Sequence, residues 1–207
     1  MNWADIITAL GALVGAIGGV YAIYTKYNQD TKNKETDYKI NKLKEEDMAR
    51  NKKRSDNAML VFGELWNLLY RTGADRAYIV QPHPLGNEEM LTVYFEVKRK
   101  GVEPMRPHIQ QMRIAEVANF AASLVKNLFM YITDIDEQVN DRYAKSILGS
   151  CGCENVIVKR LSDNRHDWVG SIFCEFTHPM EISEQDAHDL MHNAATNIQY
   201  ILPEFKN

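Results

Sequence analysis

The feature that most constrains this chain is an apolar run near its N-terminus, IITALGALVGAIGGVYAIY, which extends from Ile6 to Tyr24 without a charged residue. As a helix rising about 1.5 Å per residue, the run would be roughly 28 Å long, close to the roughly 30 Å hydrocarbon core of a bilayer. A cleaved signal peptide needs a basic start and a small-residue cleavage site, and a buried soluble helix usually has a polar stripe. Because the run has none of these, we expect residues 1–25 to form a single transmembrane helix surrounded by membrane lipid.

Small residues recur along this run at helical spacing. Gly11, Gly15 and Gly19 are four residues apart, with Ala12 and Ala16 beside them. This small-xxx-small pattern allows two helix backbones to approach closely, which predicts a homo-oligomer formed through the membrane helix. The alternative is that glycine is simply more frequent in membrane helices than in soluble ones.

Charge is unevenly distributed along the chain. The stretch from Thr25 to Arg54 has ten Lys and Arg against six Asp and Glu, whereas Ser55 to Asn207 has fourteen against twenty-one. An acidic domain argues against nucleic acid as a partner, because phosphate binding needs a concentrated positive surface.

The basic residues that follow the apolar run predict topology. Positive charge flanks the cytoplasmic end of a membrane helix, which places the C-terminal domain in the cytoplasm and the protein in the inner membrane. The same side chains are placed to contact anionic lipid. These residues are Lys26, Lys32, Lys34 and Lys39.

The connector, residues 26–55, contains no Pro or Gly and mixes opposite charges at short spacing. Such a composition predicts a solvated helical stalk, with partial disorder as the alternative. Its few apolar positions do not sustain a heptad repeat, so a long coiled coil is not expected.

Residues 56–207 show the alternating periodicities of a mixed domain. Amphipathic spacing predicts a first helix capped by Asp56 and stopped by Gly73, and a last helix with a capping box of Ser183 and Asp186. The polar stretch PHPLGNEE predicts the loop of a first hairpin. The other predicted elements are strands at 77–80, 91–98, 129–133, 155–161 and 168–177, and helices at 109–128 and 136–148.

This order of elements predicts an α+β fold with one central antiparallel sheet of about five strands and flanking helices. It resembles the GAF and PAS group of domains, GAF above all, through the segments DRAYIVQPHP, LTVYFEVKRKG, LFMYITDID and DWVGSIFCEFTH. Gly170, near the start of the last strand, is the most GAF-like detail. The resemblance implies that the terminal helices pack together and that a small ligand or a regulatory protein binds the domain.

Candidate chemistry is sparse. Cys151, Cys153 and Cys174 are an odd number without C-x-x-C spacing, and are expected to be ordinary free thiols. His188 and His192 lie one helical turn apart, but the sequence HDLMH lacks the glutamate of a zinc helix and has no evident third ligand. No nucleophile, base and stabiliser set is visible, so we expect no enzyme activity, no metal and no cofactor.

Three tyrosines fall on predicted strands of the GAF-like domain. Tyr78, Tyr94 and Tyr131 form a weak candidate for a ligand pocket between sheet and helices, which the resemblance to GAF domains implies. The alternative is that these side chains belong to the core, since a pleated surface favours aromatic residues.

The layout of one membrane helix, a short connector and a GAF-like domain also resembles the T-even-type phage holins. That resemblance implies host cell lysis, in which the membrane helix self-associates and the soluble domain receives a regulatory partner. The charge pattern departs from it by favouring a cytoplasmic domain. The alternative is a cytoplasmic GAF-like sensory or scaffolding module tethered to the inner membrane.

Overall fold

A computed structural model describes residues 3–202 of the chain. Within residues 3–54 it describes the helical backbone but only some of the side chains. The elements are helix α1 (Trp3–Thr72), strands β1 (Arg76–Leu85), β2 (Glu88–Lys98) and β3 (Met112–Arg113), a 3₁₀ turn (Ile114–Val117), α2 (Ala118–Lys126), β4 (Phe129–Ile132), α3 (Ile135–Gln138), α4 (Arg142–Ser150), β5 (Asn155–Ser162), β6 (Trp168–Phe176) and α5 (Glu184–Ile198).

Contacts divide the chain into two compact units, Met1–Lys53 and Arg54–Asn207. Within the part of the chain that the structure describes, no helix passes as a membrane span by length and hydropathy together. The predicted transmembrane run, residues 6–24, lies almost entirely outside the residues whose side chains the structure describes. Gly19 is exposed, whereas the side-chain surroundings of the other small residues of the predicted association face lie outside the described residues.

The connector is helical throughout, because α1 continues across it without a break. The prediction that Asp56 caps a separate helix is wrong, since helix-compatible residues with no Pro or Gly carry α1 straight through this position. Gly73, at φ 78°, ends α1 as predicted, because glycine adopts this left-handed conformation without steric cost.

One six-stranded antiparallel sheet organises the second unit, in the order β3-β2-β1-β6-β5-β4. The predicted α+β class and the antiparallel sheet are confirmed. The additional strand is β3, a two-residue pairing with β2 that is too short to leave a periodic signal in the sequence.

The first hairpin differs from its prediction. PHPLGNEE is mostly strand, and only Gly86 and Asn87 form the turn between β1 and β2. Pro82 and Pro84 are tolerated because β1 pairs with β6 only as far as Val80, so no described strand requires an N–H from either proline on that side.

The crossover between the hairpins also differs. The predicted helix at 109–128 is reduced to the 3₁₀ turn and α2, and the predicted helix at 136–148 is broken into α3 and α4. Asp141 causes the break, because its Oδ1 accepts hydrogen bonds from the backbone N–H groups of Tyr143 and Ala144 and so caps α4.

The sheet separates two apolar cores. On the terminal-helix face, the C-terminal part of α1 and α5 pack on the sheet through side chains such as Leu65, Leu69, Met191 and Ile198. On the crossover face, the residues between β2 and β5 pack on the opposite side. The Ser183 half of the predicted capping box forms, since Ser183 Oγ accepts a hydrogen bond from Asp186 N. The Asp186 carboxylate accepts its hydrogen bond from the Ser183 hydroxyl.

Two irregularities shape the centre of the sheet. The register of β1 on β2 shifts between Ile79, which faces Phe95, and Val80, which faces Val93, so Tyr94 lies in a bulge. Gly170 has φ 154°, and a Cβ there would lie 2.8 Å from the carbonyl oxygen of Val80. Only glycine therefore fits this close approach between β6 and β1.

Candidate ligand site

A small apolar void lies within the crossover face. Its volume is about 20 Å³, which is room for about one water molecule, and its lining is almost entirely apolar, so we expect it to be dry. Side chains of the sheet, including Tyr78, Leu91 and Phe173, form one wall, and Phe120, Leu124 and Leu148 form the other.

A larger groove, which we call the α2 groove, lies beside this void and has a volume of about 460 Å³. Ligand sites usually have about 300–1,000 Å³, so the groove is of suitable size and the void is not. One wall is a stripe of α2 and its C-cap in which residues recur every four positions, Asn119, Ser123 and Asn127. The facing walls are β4 and residues 138–141, which run from the last residue of α3 to the N-cap of α4.

Phe120 borders both the void and the α2 groove. Its half-buried ring is 6.3 Å from the ring of Phe173 on β6, measured between centroids. Asp141 fixes the backbone beside it, since Phe120 N donates to Asp141 Oδ2 over 3.2 Å. The carboxylate of Asp141 therefore holds α2 and α4 together.

A buried ionic cluster occupies one end of the crossover face. Arg76 and Glu175 are both fully buried and form an ion pair across β1 and β6, and Tyr78 donates its hydroxyl hydrogen to the same carboxylate. Arg76 Nη1 also donates to the carbonyl oxygens of Glu103, over 2.8 Å, and Cys151, over 3.0 Å. The cluster therefore holds two loops onto the sheet.

The thiols show no reactive environment. Cys151, Cys153 and Cys174 are free and buried, as predicted. Burial raises the pKa of Cys174 to about 12 and also raises that of Cys153, where the nearby Glu175 carboxylate adds to the effect. Neutral thiols are poor nucleophiles, so these cysteines act as packing residues.

The three tyrosines of the predicted pocket are separated by the structure. Tyr78 is buried on the crossover face and borders the void. Tyr131 borders the α2 groove, but its ring packs toward the terminal-helix core and its hydroxyl donates to the carbonyl oxygen of Ile182 over 2.6 Å. Tyr94 lies 6.1 Å from His83, between ring centroids, and borders neither space.

The predicted surface histidines are on α5. His188 and His192 stack with ring centroids 6.1 Å apart. No group of three or more His, Cys, Asp and Glu side chains suited to a metal ion occurs among the described residues. The connector lysines with described side chains, Lys26, Lys32 and Lys39, are exposed, and that of Lys34 lies outside the described residues.

Sequence reasoning missed the α2 groove. Its polar residues are single side chains from a helix, a strand and a connecting segment, which come together only in the folded domain. The spacing of Asn119, Ser123 and Asn127 was the one available signal, and it is shared by many solvent-exposed helix faces.

An antiparallel sheet with terminal helices on one face and a helical crossover over the other defines a GAF-like domain. Solved structures agree. The chain is similar to the photoproduct state of GAF3 from Slr1393 of Synechocystis sp. PCC6803, with 9% identity, coverage of 69% of this chain and 90% of that one, and a TM-score of 0.56.

Two further structures are equally similar in fold. One is the phycoerythrobilin-bound GAF domain from a cyanobacterial phytochrome, with 15% identity, coverage of 74% and 89%, and a TM-score of 0.56. The other is the blue-light absorbing form of the Thermosynechococcus elongatus PixJ GAF domain, with 12% identity, coverage of 72% and 86%, and a TM-score of 0.55. At such low identity these similarities establish the fold alone.

Comparison by sequence finds no matching protein-family model and no matching curated protein. The structural neighbours reported above support the GAF-like fold and give no support to a holin.

Proposed function

We propose that the chain is a non-enzymatic sensory module whose GAF-like domain binds a small ligand in the α2 groove. The observation that carries this proposal is a groove of about 460 Å³ on the crossover side of a GAF-like sheet. Two structural neighbours are described as phycoerythrobilin-bound and phycocyanobilin-bound GAF domains, which supports small-molecule binding as a use of this fold.

The chemistry around the groove favours binding over catalysis. The carboxylate of Asp141 is engaged by three backbone N–H groups, and the buried thiols have raised pKa values. Among the described residues of the lining, none therefore offers a free general base or an activated nucleophile.

Hydrogen exchange of the full chain tests the proposal. Compounds from a metabolite library that raise the melting temperature are added, and exchange is followed by mass spectrometry. We expect a bound compound to protect residues 118–127 and 138–141 more than α5, and to be recovered unchanged. Chemical conversion of the compound, or protection confined to α5, would contradict the proposal.

A matched pair of variants locates the effect. Ser123→Arg places a long charged side chain in the α2 groove and is expected to abolish protection, whereas Ser146→Arg adds the same side chain to an exposed position on α4 outside the groove. If no compound in the library bound in a way that the Ser123→Arg variant abolished, the ligand-binding proposal would be wrong. A scaffolding role would then be the better account.

We also propose that the first helix tethers the module to the inner membrane, with the GAF-like domain in the cytoplasm. Support comes from the sequence, in the uncharged run from Ile6 to Tyr24 and the lysines after it. Flotation of the full chain with liposomes tests this. Val14→Lys combined with Ile17→Lys should abolish flotation, because each lysine near the bilayer centre costs about 2.5–3.5 kcal/mol. Equal flotation of both proteins would contradict it.

A further inference from the structure

The polar groups of the α2 groove differ in how fully they are used. Asp141 accepts three backbone hydrogen bonds, and Gln138 Oε1 accepts two, from Thr133 N over 2.8 Å and Asp134 N over 3.3 Å. Asn119 and Asn140 are exposed, and no hydrogen bond to their side-chain amides occurs among the described residues. Asn127 Nδ2 makes a weak hydrogen bond to Met130 Sδ over 3.7 Å. Asn119 and Asn140, on two different walls, are therefore the asparagines whose amides are left for a ligand.

The charge of the lining narrows the choice of ligand. Within the lining that the structure describes, Asp141 is the one charged residue, and no Lys or Arg is present. An anionic ligand would find no cation to replace its hydration, and a cationic ligand would find only a carboxylate that is already hydrogen-bonded. A neutral ligand therefore fits the groove best.

The apolar part of the lining favours a flat ring. The half-buried ring of Phe120 and the thioether of Met130 border the groove from opposite walls. Aromatic faces and sulfur atoms both make favourable contacts with a planar π system. Each asparagine amide offers N–H donors and a carbonyl acceptor, which complements a ring that has adjacent N–H and C=O groups.

We infer that the α2 groove binds a neutral, planar heterocyclic lactam, whose N–H and C=O groups pair with Asn119 and Asn140 while its ring packs between Phe120 and Met130. This inference rests on the proposed ligand-binding function and specifies the chemical class of the ligand. The structure also assigns a role to the unused amides, which neither the fold nor the neighbours define.

Three probes that share a fused two-ring skeleton test the inference. The full chain in lipid nanodiscs is titrated with 2-quinolone, a neutral lactam, with naphthalene, which lacks the amide, and with 2-quinolone-4-carboxylate, which adds a negative charge. Binding is measured by saturation-transfer NMR, and the signal of empty nanodiscs is subtracted. We expect 2-quinolone to bind about tenfold more tightly than either of the other probes. Naphthalene cannot form hydrogen bonds to the two amides, and the carboxylate finds no cation in the groove to replace its hydration.

Asparagine variants test the two assigned amides and supply a matched control. Asn119→Leu combined with Asn140→Leu should weaken 2-quinolone binding by about fivefold or more, as expected for the loss of one or two hydrogen bonds. Asn193→Leu, an exposed asparagine on α5 outside the groove, should leave it unchanged.

The outcomes separate this inference from the proposed function. Absence of 2-quinolone binding, equal binding of naphthalene, preference for the carboxylate, or an equal loss in Asn193→Leu would each overturn the lactam inference. If library compounds of another class still protected the groove in a Ser123-dependent manner, the ligand-binding function would stand and only the assigned class would fail.

Discussion

The two faces of the sheet are both apolar, but they are covered by different kinds of helix. The terminal-helix face is covered by long helices whose side chains, such as Leu65 and Met191, are fully buried against the sheet. The crossover face is covered by a 3₁₀ turn and three short helices, and it contains the void, the ionic cluster and the α2 groove at its margin. A continuous helix can seal a sheet, whereas short helices joined by polar segments leave spaces in which a ligand can bind.

The largest expected effect comes from breaking the ionic cluster of the crossover face. Arg76→Met leaves Glu175 buried without its partner and should lower the free energy of unfolding by about 3–5 kcal/mol. Chemical denaturation measures the change. The double variant Arg76→Met with Glu175→Leu should regain much of the loss, because neither charge then remains buried. Additive losses in the double variant would contradict this account.

On the terminal-helix face, we expect substitutions to lower the free energy of unfolding through lost apolar packing. Leu65→Ala removes a fully buried side chain between α1 and the sheet and should cost about 2–5 kcal/mol in the same measurement. Leu60→Ala, on the exposed side of the same helix at 60% exposure, should change stability by no more than about 0.5 kcal/mol. Similar losses at both positions would show that this face of α1 is not the buried one.

Enlarging a small residue on each face sharpens the difference in packing. Ala187→Val, on the closed terminal-helix face, should cost about 1–3 kcal/mol through overcrowding. Ala144→Val, beside the void, has space for part of the added volume and should cost less than about 1 kcal/mol. Thermal unfolding compares the two variants, and the reverse order would mean that the void does not absorb added atoms.

The smallest expected effect concerns pH at the junction of α1 and β1. Burial tends to raise the pKa of Asp75, but hydrogen bonds from Thr177 and the charges of His178 and Arg99 outweigh it, so the net pKa is lowered. A lowered carboxyl pKa contributes stability that is present above the unfolded pKa and is lost as pH falls through the folded pKa.

Asp75→Asn should therefore reduce stability by about 1 kcal/mol at neutral pH, since charge-assisted hydrogen bonds are stronger than neutral ones. The wild-type and variant stabilities should converge as pH falls below about 4, near the ordinary pKa of an aspartate. Denaturation curves at several pH values test this, and a difference that grew toward low pH would contradict the sign.

The parts of the fold that repeat a local pattern could be predicted from sequence. The strands of the second hairpin and the capped helix α5 are examples, since alternation and a Ser183 cap act between near neighbours in the chain. The start of the first amphipathic helix was not predictable, because a cap at Asp56 competes with a helix that is already formed. The strand character of Pro82 and Pro84 depended on which neighbouring strand stops short, which is a property of the sheet.

The candidate site was less predictable than the fold. Tyr78 borders the void, but its hydrogen bond to Glu175 joins residues that are 97 positions apart, which no local pattern reveals. Asn140 gives no signal in the sequence, since its position beside the α2 groove depends on α3 ending at Gln138 and on Asp141 capping α4.

The two prolines of β1 also affect whether strands of different molecules can pair and aggregate. Pro82 and Pro84 are two residues apart, so their missing N–H groups fall on the same edge of β1, beyond the point where β6 stops pairing. An edge that cannot donate hydrogen bonds is a poor template for a strand from another molecule, and edge prolines protect native sheets from aggregation in this way. The first hairpin can therefore extend past the sheet without nucleating fibres during folding.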